Sequence, residues 1–342
     1  MWWSTGTTLP SVSSVIINFL PSWWYRGYGI CHGSHFFSDV DYRAKTIREM
    51  HRLVYDRFGD IGMGAADPEL VYINDDLNNA TLPAVLGCEV IYADDRYPEC
   101  MPLDDEQISR LQVPDDITQA YPMREIIDQA KFVSNNRGQE LKPAWCTMGV
   151  QNIAVLVRGS ELFADYYGDP ELALTVLNAA ERLISMSFDY FHATGISMGF
   201  ICNQNCTVPL SGPMVYQKYL LGYDQALRTK AESLGLGYYI HHCGNFDDYA
   251  SIYKQVGNVN MFDVGMGSDL RLALNAWPEA KINYFVSHQM IANSCPGDIK
   301  AVMRSYVDAS GADIKRVSFV LCDIEHGTPD ENIRAFVEAL AP

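Results

Sequence analysis

The sequence has no apolar run long enough to cross a membrane, and it has few basic residues for its length. A membrane-spanning helix needs roughly 18 consecutive apolar residues, and no stretch of the chain provides them. Lysine and arginine together number 25 against 42 aspartates and glutamates, which gives a net charge of −17. A surface of this sign repels phosphate backbones and anionic lipids, so neither nucleic acid nor a membrane is expected as a partner.

Signs of export are also missing. The most apolar stretch near the start, residues 11–20 (SVSSVIINFL), has no basic leader and no clear small-residue cleavage site, so no secretory signal is expected. The nine cysteines are odd in number and lack the spacing of a disulfide framework. Reduced thiols in a cytoplasmic protein are therefore the expectation.

The C-terminal half repeats one pattern: a β-branched or aromatic run, an exit rich in Gly, Asn or Asp, and then a helical segment. The runs are SMGFICNQN (197–205), GYYIHHCGN (237–245), VNMFDVGMGSD (259–269), KINYFVSH (281–288) and RVSFVLCDIEHGTP (316–329). Five such units predict an α/β protein with parallel strands and crossover helices. Because no glycine-rich phosphate loop follows an early strand, the prediction is a (β/α)8 TIM barrel rather than an open doubly wound sheet.

The N-terminal third is less regular and indicates a barrel with an N-terminal extension and insertions. Residues 38–60 predict a helix with Ser38 as its N-cap, and a later helix is expected to begin near Asp169 and Pro170. The chain is predicted to be one domain, 1–342, whose residues 1–37 form an aromatic-rich N-terminal segment.

A possible metal site lies at the ends of two predicted strands. Side chains alternate along a strand, so His241 and Cys243 share one face while His242 points to the other and would support the pair from behind. Cys322 ends the last predicted strand, and the carboxyl ends of barrel strands meet at one mouth. One imidazole and two thiolates suit zinc. A fourth ligand is left open between Cys206 and Glu325, each of which has an ordinary loop interpretation as well.

Several other side chains near predicted strand ends are candidates for contacting a substrate or supporting the metal ligands. Asn245 is expected to orient a ligand from behind or to serve a turn. The candidate substrate contacts, for which turn or core roles are the alternative, are Asn203, Asn205, His288, Trp23, Trp24 and Tyr28.

Two motifs carry a family resemblance. HHCGN (241–245) and CDIEHGTPDENI (322–333) resemble the two halves of the His-x-Cys…Cys zinc signature of methyltransferases in the uroporphyrinogen-decarboxylase-like superfamily. The stretches 168–184 and 210–227 also resemble superfamily helices. The similarity runs from about residue 34 to the end of the chain. It implies a TIM barrel with zinc held by His241, Cys243 and Cys322.

Three activities compete within this superfamily. The decarboxylase uses an arginine-bearing N-terminal motif, whereas the corresponding region here has only Arg26. The stretches 23–29 (WWYRGYG) and 86–103 look more like the first methyltransferase of corrinoid-dependent O-demethylases. The resemblance implies a zinc enzyme that moves a methyl group from a small aromatic methyl ether to the Co(I) corrinoid (cobalamin) of a partner corrinoid protein. A methylcorrinoid:thiol (coenzyme M-type) methyltransferase is the alternative, and a non-catalytic tetrapyrrole- or corrinoid-binding protein is the second. A homodimer is compatible with the sequence.

Overall fold

The computed structural model describes residues 14–73, 77–139, 147–195 and 199–341. The strands in these ranges are β1 Ser14–Phe19, β2 Glu89–Ile91, β3 Glu99–Met101, β4 Thr147–Met148, β5 Phe200–Asn205, β6 Gly237–His242, β7 Met261–Val264, β8 Lys281–Phe285 and β9 Val317–Ile324. Seven of them form one parallel sheet in the order β1–β9–β8–β7–β6–β5–β4, while β2 and β3 form a separate antiparallel pair.

Helices connect these strands. The helices of the N-terminal half are α1 Pro21–Tyr28, α2 Ser34–Ser38, α3 Val40–Phe58, α4 Thr81–Val85, α5 Asp105–Ser109, α6 Met123–Arg137, α7 Val150–Arg158, α8 Glu161–Gly168 and α9 Pro170–Ala193. Those of the C-terminal half are α10 Val208–Ser211, α11 Pro213–Val215, α12 Leu221–Ser233, α13 Ala250–Tyr253, α14 Leu270–Ala276, α15 His288–Asn293, α16 Pro296–Ser310 and α17 Asp330–Leu340.

The predicted α/β class is confirmed by the parallel strands and crossover helices, and the described residues contain seven strands of the predicted (β/α)8 TIM barrel. All five predicted strand–helix units of the C-terminal half are present, as β5 to β9; residues 197 and 198 of the first run lie outside the described residues. An isolated β-bridge at Ile73 precedes the undescribed residues 74–76. In parallel barrels the carboxyl ends of the strands form the functional face, so the ends of β5, β6, β7 and β9 are where a site is expected.

The N-terminal region differs from its prediction in two respects. Residues 14–19, expected within a segment preceding the barrel, form β1 and pair in parallel with β9, because alternate apolar side chains give this short stretch a buried face. The helix predicted from Ser38 begins at Val40 instead. Its N-cap is Asp39, whose carboxylate accepts hydrogen bonds from the backbone N–H groups of Asp41 and Tyr42 at 2.9 Å each.

The later helix boundary agrees with the sequence. Asp169 is the N-cap of α9, where its side chain accepts from the Leu172 N–H at 3.1 Å, and Pro170 occupies the first helical position. One apolar cluster extends from β1 to α17 and fills the space between the sheet and its helices. None of the helices described is both long and apolar enough to span a membrane.

Candidate metal centre

Three potential metal ligands meet at the carboxyl ends of β5 and β6. The ligand atoms of Cys206, His241 and Cys243 all lie within 4.8 Å of one another. His241 and Cys243 are in contact, with 2.9 Å between Nε2 and Sγ. The register of the parallel strands brings Cys206 to the same place, because Gln204 pairs with His241 and Cys206 follows two residues later. Among the described residues this is the only group of three such side chains.

The far side of the His241 ring is held by a carboxylate. Asp263 on β7 lies 2.7 Å from Nδ1 of His241, and its other oxygen accepts a hydrogen bond from the Asn283 amide at 2.8 Å. A carboxylate behind an imidazole fixes the tautomer that leaves Nε2 free to bind a metal and raises its basicity. The Phe285 ring meets the imidazole edge to face, with 5.0 Å between centroids.

The charges in this cluster favour an anionic thiolate next to a cationic imidazole. The hydrogen bond with Cys243 and the charge of His241 hold the pKa of Cys206 well below its usual value. Burial opposes charge on His241, but the Cys206 thiolate and the Asp263 carboxylate outweigh it and raise the pKa of His241 well above its usual value. The neighbouring Cys206 thiolate and burial raise the pKa of Cys243. A bound divalent cation would offset the negative charges of the neighbouring thiolates, since metal binding requires thiolates and a neutral imidazole.

The loop that carries Cys206 is clamped by the start of α7. Asn152 donates from its amide to the backbone carbonyl of Gln204 at 2.6 Å and accepts from the Thr207 backbone N–H at 2.7 Å. Gly149 lies so close to β5 that an added Cβ would be 2.6 Å from the Gln204 carbonyl oxygen. These contacts fix the backbone on both sides of Cys206.

The loop that carries Cys243 is fixed in a similar way. Asn245 donates from its amide to the carbonyl of Gly267 at 2.7 Å, and its side-chain oxygen accepts from the Asp247 backbone N–H at 2.8 Å. A Cβ at Gly265 would lie 2.1 Å from the Gly244 carbonyl oxygen, so the two loops pack backbone to backbone. Asn245 therefore braces the loop after the histidine–cysteine pair.

Cys322 lies on the same inner side of the barrel, but it is not part of the three-residue group. It is buried on β9, and burial together with the negative charges of Asp323 and Asp263 raises its pKa. The next residue, Asp323, has a φ of 62°, which is unusual for a residue other than glycine. Burial raises the pKa of the Asp323 carboxyl, and the nearby groups His288, Cys206 and His241 also act on this pKa.

The remaining candidates at the end of β9 and β8 are placed at the mouth. Glu325 is exposed in the turn after β9, where its backbone carbonyl accepts from the Thr328 N–H at 3.2 Å, and it does not join the metal-ligand group. His288 is half-buried at the first position of α15 and lies near Asp323. His288 therefore lies just after the carboxyl end of β8, at the same edge of the sheet as the ligand group.

Two predicted substrate contacts face away from the barrel interior, which corrects the sequence expectation. Side chains alternate along β5, so Asn203 and Asn205 lie on the opposite face from Gln204 and point toward α12. Asn203 donates to one Asp224 oxygen at 2.6 Å, and Asn205 donates to the other at 3.0 Å. Tyr216 also donates to Asp224, at 2.6 Å. These amides tie β5 to its crossover helix.

Asp224 gives a testable pH dependence. Burial raises its pKa from 3.8 to about 6, although its three hydrogen bonds act in the opposite direction. Because the folded-state pKa is raised, the stability linked to this group is fully present below about pH 4 and is lost as pH rises through 6. Wild type should therefore lose roughly 1 kcal/mol relative to Asp224→Asn between pH 5 and pH 7 in urea unfolding.

The control for that comparison is Asp308→Asn, which changes an exposed aspartate on α16. The control accounts for the loss of one exposed carboxylate from a helix. If the stability difference between wild type and Asp224→Asn were the same at pH 5 and pH 7, the carboxylate would not titrate as its burial requires.

His242 points toward the helices, as the alternation along the strand predicts. Its Nδ1 lies 2.8 Å from the Tyr253 hydroxyl, and its Nε2 lies 3.2 Å from the backbone carbonyl oxygen of Asn245. Burial lowers the pKa of His242 to about 4, so the ring is neutral at physiological pH. It supports the Cys243 loop from the opposite face of the strand.

The aromatic residues expected at a pocket belong to the core instead. Trp23 and Trp24 are each 1% exposed, and both pack against Phe19 on the helix-facing side of β1. Tyr28 is half-buried and accepts a hydrogen bond from Arg57 at 3.3 Å. The reason is that α1 folds back directly after β1, so its aromatic face covers the sheet from outside the barrel.

Three residues that contact the cluster or its loops, Asn152, Asp263 and Asn283, were not predicted from the sequence. The available signal was polarity inside apolar runs: Asp263 interrupts MFDV and Asn283 interrupts KINYF. Both side chains lie on the same face of the sheet as His241, but only the pairing of β6, β7 and β8 brings the three into contact.

Comparisons with known proteins agree with this architecture. The sequence profile of the family described as uroporphyrinogen decarboxylase (URO-D) matches residues 34–341. A curated relative, methylcobamide:CoM methyltransferase MtbA of Methanosarcina acetivorans, is 23% identical over 214 residues. That alignment covers 62% of this chain, and the chain spans 62% of the length of that relative. A solved methyltransferase structure from Methanosarcina mazei superposes with a TM-score of 0.65 at 16% identity, covering 98% of this chain and 93% of that one.

Proposed function

Because the chain belongs to the uroporphyrinogen decarboxylase family, we propose that it is a zinc-dependent methyltransferase that demethylates aromatic methyl ethers. The methyl group passes to the Co(I) corrinoid of a partner protein. The observation that carries the proposal is the cluster of Cys206, His241 and Cys243 at the barrel mouth, with Asp263 behind the imidazole. The proposed cytoplasmic location and a homodimer stay predictions.

The residues present fit a zinc ion by their chemistry. Two thiols and one imidazole within 4.8 Å form the soft donor set that zinc prefers, and three protein ligands leave a position open for substrate. We propose His241 and Cys243 as two of the ligands and a thiolate of Cys206 or Cys322 as the third. When bound, zinc would act as a Lewis acid toward the ether oxygen.

The chain's own side chains would prepare that site. Asp263 holds the His241 ring so that Nε2 faces Cys243, and Asn283 in turn holds Asp263. The hydrogen bond with Cys243 and the charge of His241 lower the pKa of Cys206 and so favour its thiolate, the form that binds a metal. The Phe285 ring packs edge to face against the imidazole and places an apolar group beside it.

Thiol methylation with the same metal is the second candidate, because the Methanosarcina acetivorans relative is named for that reaction. Coenzyme M carries a sulfonate, whose negative charge needs a cationic partner. The loops that follow β5 to β9 contain no lysine or arginine, and Arg26 on α1 is exposed. This charge pattern disfavours coenzyme M as the methyl acceptor and agrees with a neutral ether as the methyl donor. A tetrapyrrole- or corrinoid-binding protein without catalysis, the remaining alternative, would not require the ligand cluster.

The test combines metal content with methyl transfer on one sample. We expect about one zinc per chain by mass spectrometry of the metal and formation of methylcobalamin from Co(I) cobalamin and 2-methoxyphenol. Incubation of methylcobalamin with coenzyme M serves as the second arm. Zinc with transfer to the thiol alone would replace the proposal by the second candidate, and protein without zinc or transfer would contradict both.

A further inference from the structure

Asn18 on β1 faces the barrel interior. Its neighbours Ile17 and Phe19 point toward the helices, and the Phe19 ring contacts Trp23 with 4.2 Å between centroids. Alternation along the strand therefore directs Asn18 inward, as it does Ser14, whose hydroxyl donates to the inward-facing Ser318 at 2.8 Å. Asn18 is nevertheless only 2% exposed.

A β-bulge places Asn18 opposite Cys322, a candidate metal ligand. Ile17 pairs with Leu321, but Phe19 pairs with Ile324, so Cys322 and Asp323 together lie opposite Asn18. Asp323 absorbs the extra residue with its φ of 62°. Bulges of this kind are frequent next to active sites because they redirect a side chain. Here the bulge sets Asn18 against Cys322 at the inner wall of the barrel.

The amide oxygen of Asn18 has no hydrogen-bond partner in the part of the chain that the structure describes, although it is inaccessible. Buried acceptors are almost always paired, because an unpaired one loses its hydrogen bonds to water without replacement. An acceptor kept unpaired on the inner wall, next to a candidate metal ligand, is explained if a substrate supplies the missing donor.

The surroundings restrict what that substrate is. The rings of Tyr239 and Phe285 lie on the same inward face as His241, and Phe200 lies on that face at the amino-terminal end of β5. Lys281 is also on this face, but it lies at the opposite, amino-terminal end of β8 and is exposed. The interior near the mouth thus offers aromatic surface, hydrogen-bond acceptors and the Asp263 carboxylate, which suits a neutral aromatic molecule and disfavours an anion.

We propose that Asn18 is a specificity-determining residue that accepts a hydrogen bond from the hydroxyl group of a neutral phenolic methyl ether. This inference rests on the proposed function and deepens it. The hydrogen bond would orient the ring so that the ether oxygen faces the cluster of His241 and Cys243. A methyl ether without the hydroxyl would leave the buried amide oxygen unpaired and bind less well.

The experiment compares zinc-loaded wild type with Asn18→Leu, a variant of similar volume, using Co(I) cobalamin as the acceptor. The donors are 2-methoxyphenol, methoxybenzene and 4-hydroxy-3-methoxybenzoate. Wild type should prefer 2-methoxyphenol to methoxybenzene by about tenfold or more in kcat/KM, the usual effect of one buried hydrogen bond. Asn18→Leu should abolish that preference by raising KM for 2-methoxyphenol, with zinc content unchanged. The carboxylated donor should be the poorest for wild type.

The matched control is Ser14→Ala, which changes an inward-facing residue of the same strand and should keep the preference. Asn18→Ala is the second variant if the leucine disturbs folding, as judged by circular dichroism. A wild type without the hydroxyl preference, or an Asn18 variant that retains it, would overturn the inference. If no ether supports methyl transfer, the proposed function fails, and calorimetric binding of 2-methoxyphenol to wild type and Asn18→Leu still decides the role of Asn18.

Discussion

Replacement of Cys243 by serine is expected to remove the bound metal and to lower methyl transfer by about a thousandfold or more, the size of several kcal/mol of transition-state stabilisation. The physical reason is that a hydroxyl is a poor zinc ligand and that Cys243 touches the imidazole that completes the pair. The fold should persist, because Cys243 follows the last residue of β6 and is only partly buried. Metal analysis, methylcobalamin formation and thermal unfolding of the same preparation check the three statements.

Cys295→Ser is the matched control, since Cys295 is exposed at the start of α16 and far from the cluster in sequence. This variant should keep the zinc and the activity of wild type. A Cys243→Ser protein with full zinc and full turnover would show that the histidine–cysteine pair does not hold the metal. A variant that loses its helical circular dichroism would indicate a structural site instead.

The second large effect distinguishes the two remaining thiols. The grouping of Cys206 with His241 and Cys243 leads us to expect that Cys206→Ser weakens zinc binding at least as much as Cys322→Ser. Loss of one thiolate from a three-ligand set should reduce zinc affinity by well over the roughly 10- to 100-fold effect of losing a supporting residue. Competition with a chromogenic zinc chelator measures the affinity of each variant.

The outcomes of that comparison have different meanings for the ligand set. If both variants lose zinc, the site holds three thiolates and one imidazole. If Cys322→Ser alone loses zinc while Cys206→Ser retains it, the ligands are the set indicated by the sequence motif, and the grouping of Cys206 with the pair is not the metal-bound arrangement. The Cys206→Ser variant with retained zinc would contradict our expectation directly.

Much of the fold could be predicted from local patterns in the sequence. The five strand–helix units from residue 199 to the end have apolar strands, polar exits and amphipathic helices, so each unit is specified by contacts within a short stretch of chain. The same is true of the Asp169 cap and Pro170 at the start of α9. The N-terminal region was less predictable because β1 is short and its partner, β9, lies about 300 residues away in the sequence.

The contacts of the candidate site can be separated in the same way, into those predictable from one strand and those that depend on tertiary structure. The pairing of His241 with Cys243 and the opposite direction of His242 follow from the alternation of side chains along one strand, which needs no partner strand. The grouping with Cys206, the carboxylate of Asp263 behind the imidazole and the bulge opposite Asn18 depend on the register between neighbouring strands. Register is set by packing across the whole sheet and not by any local stretch, so tertiary structure alone decided these contacts.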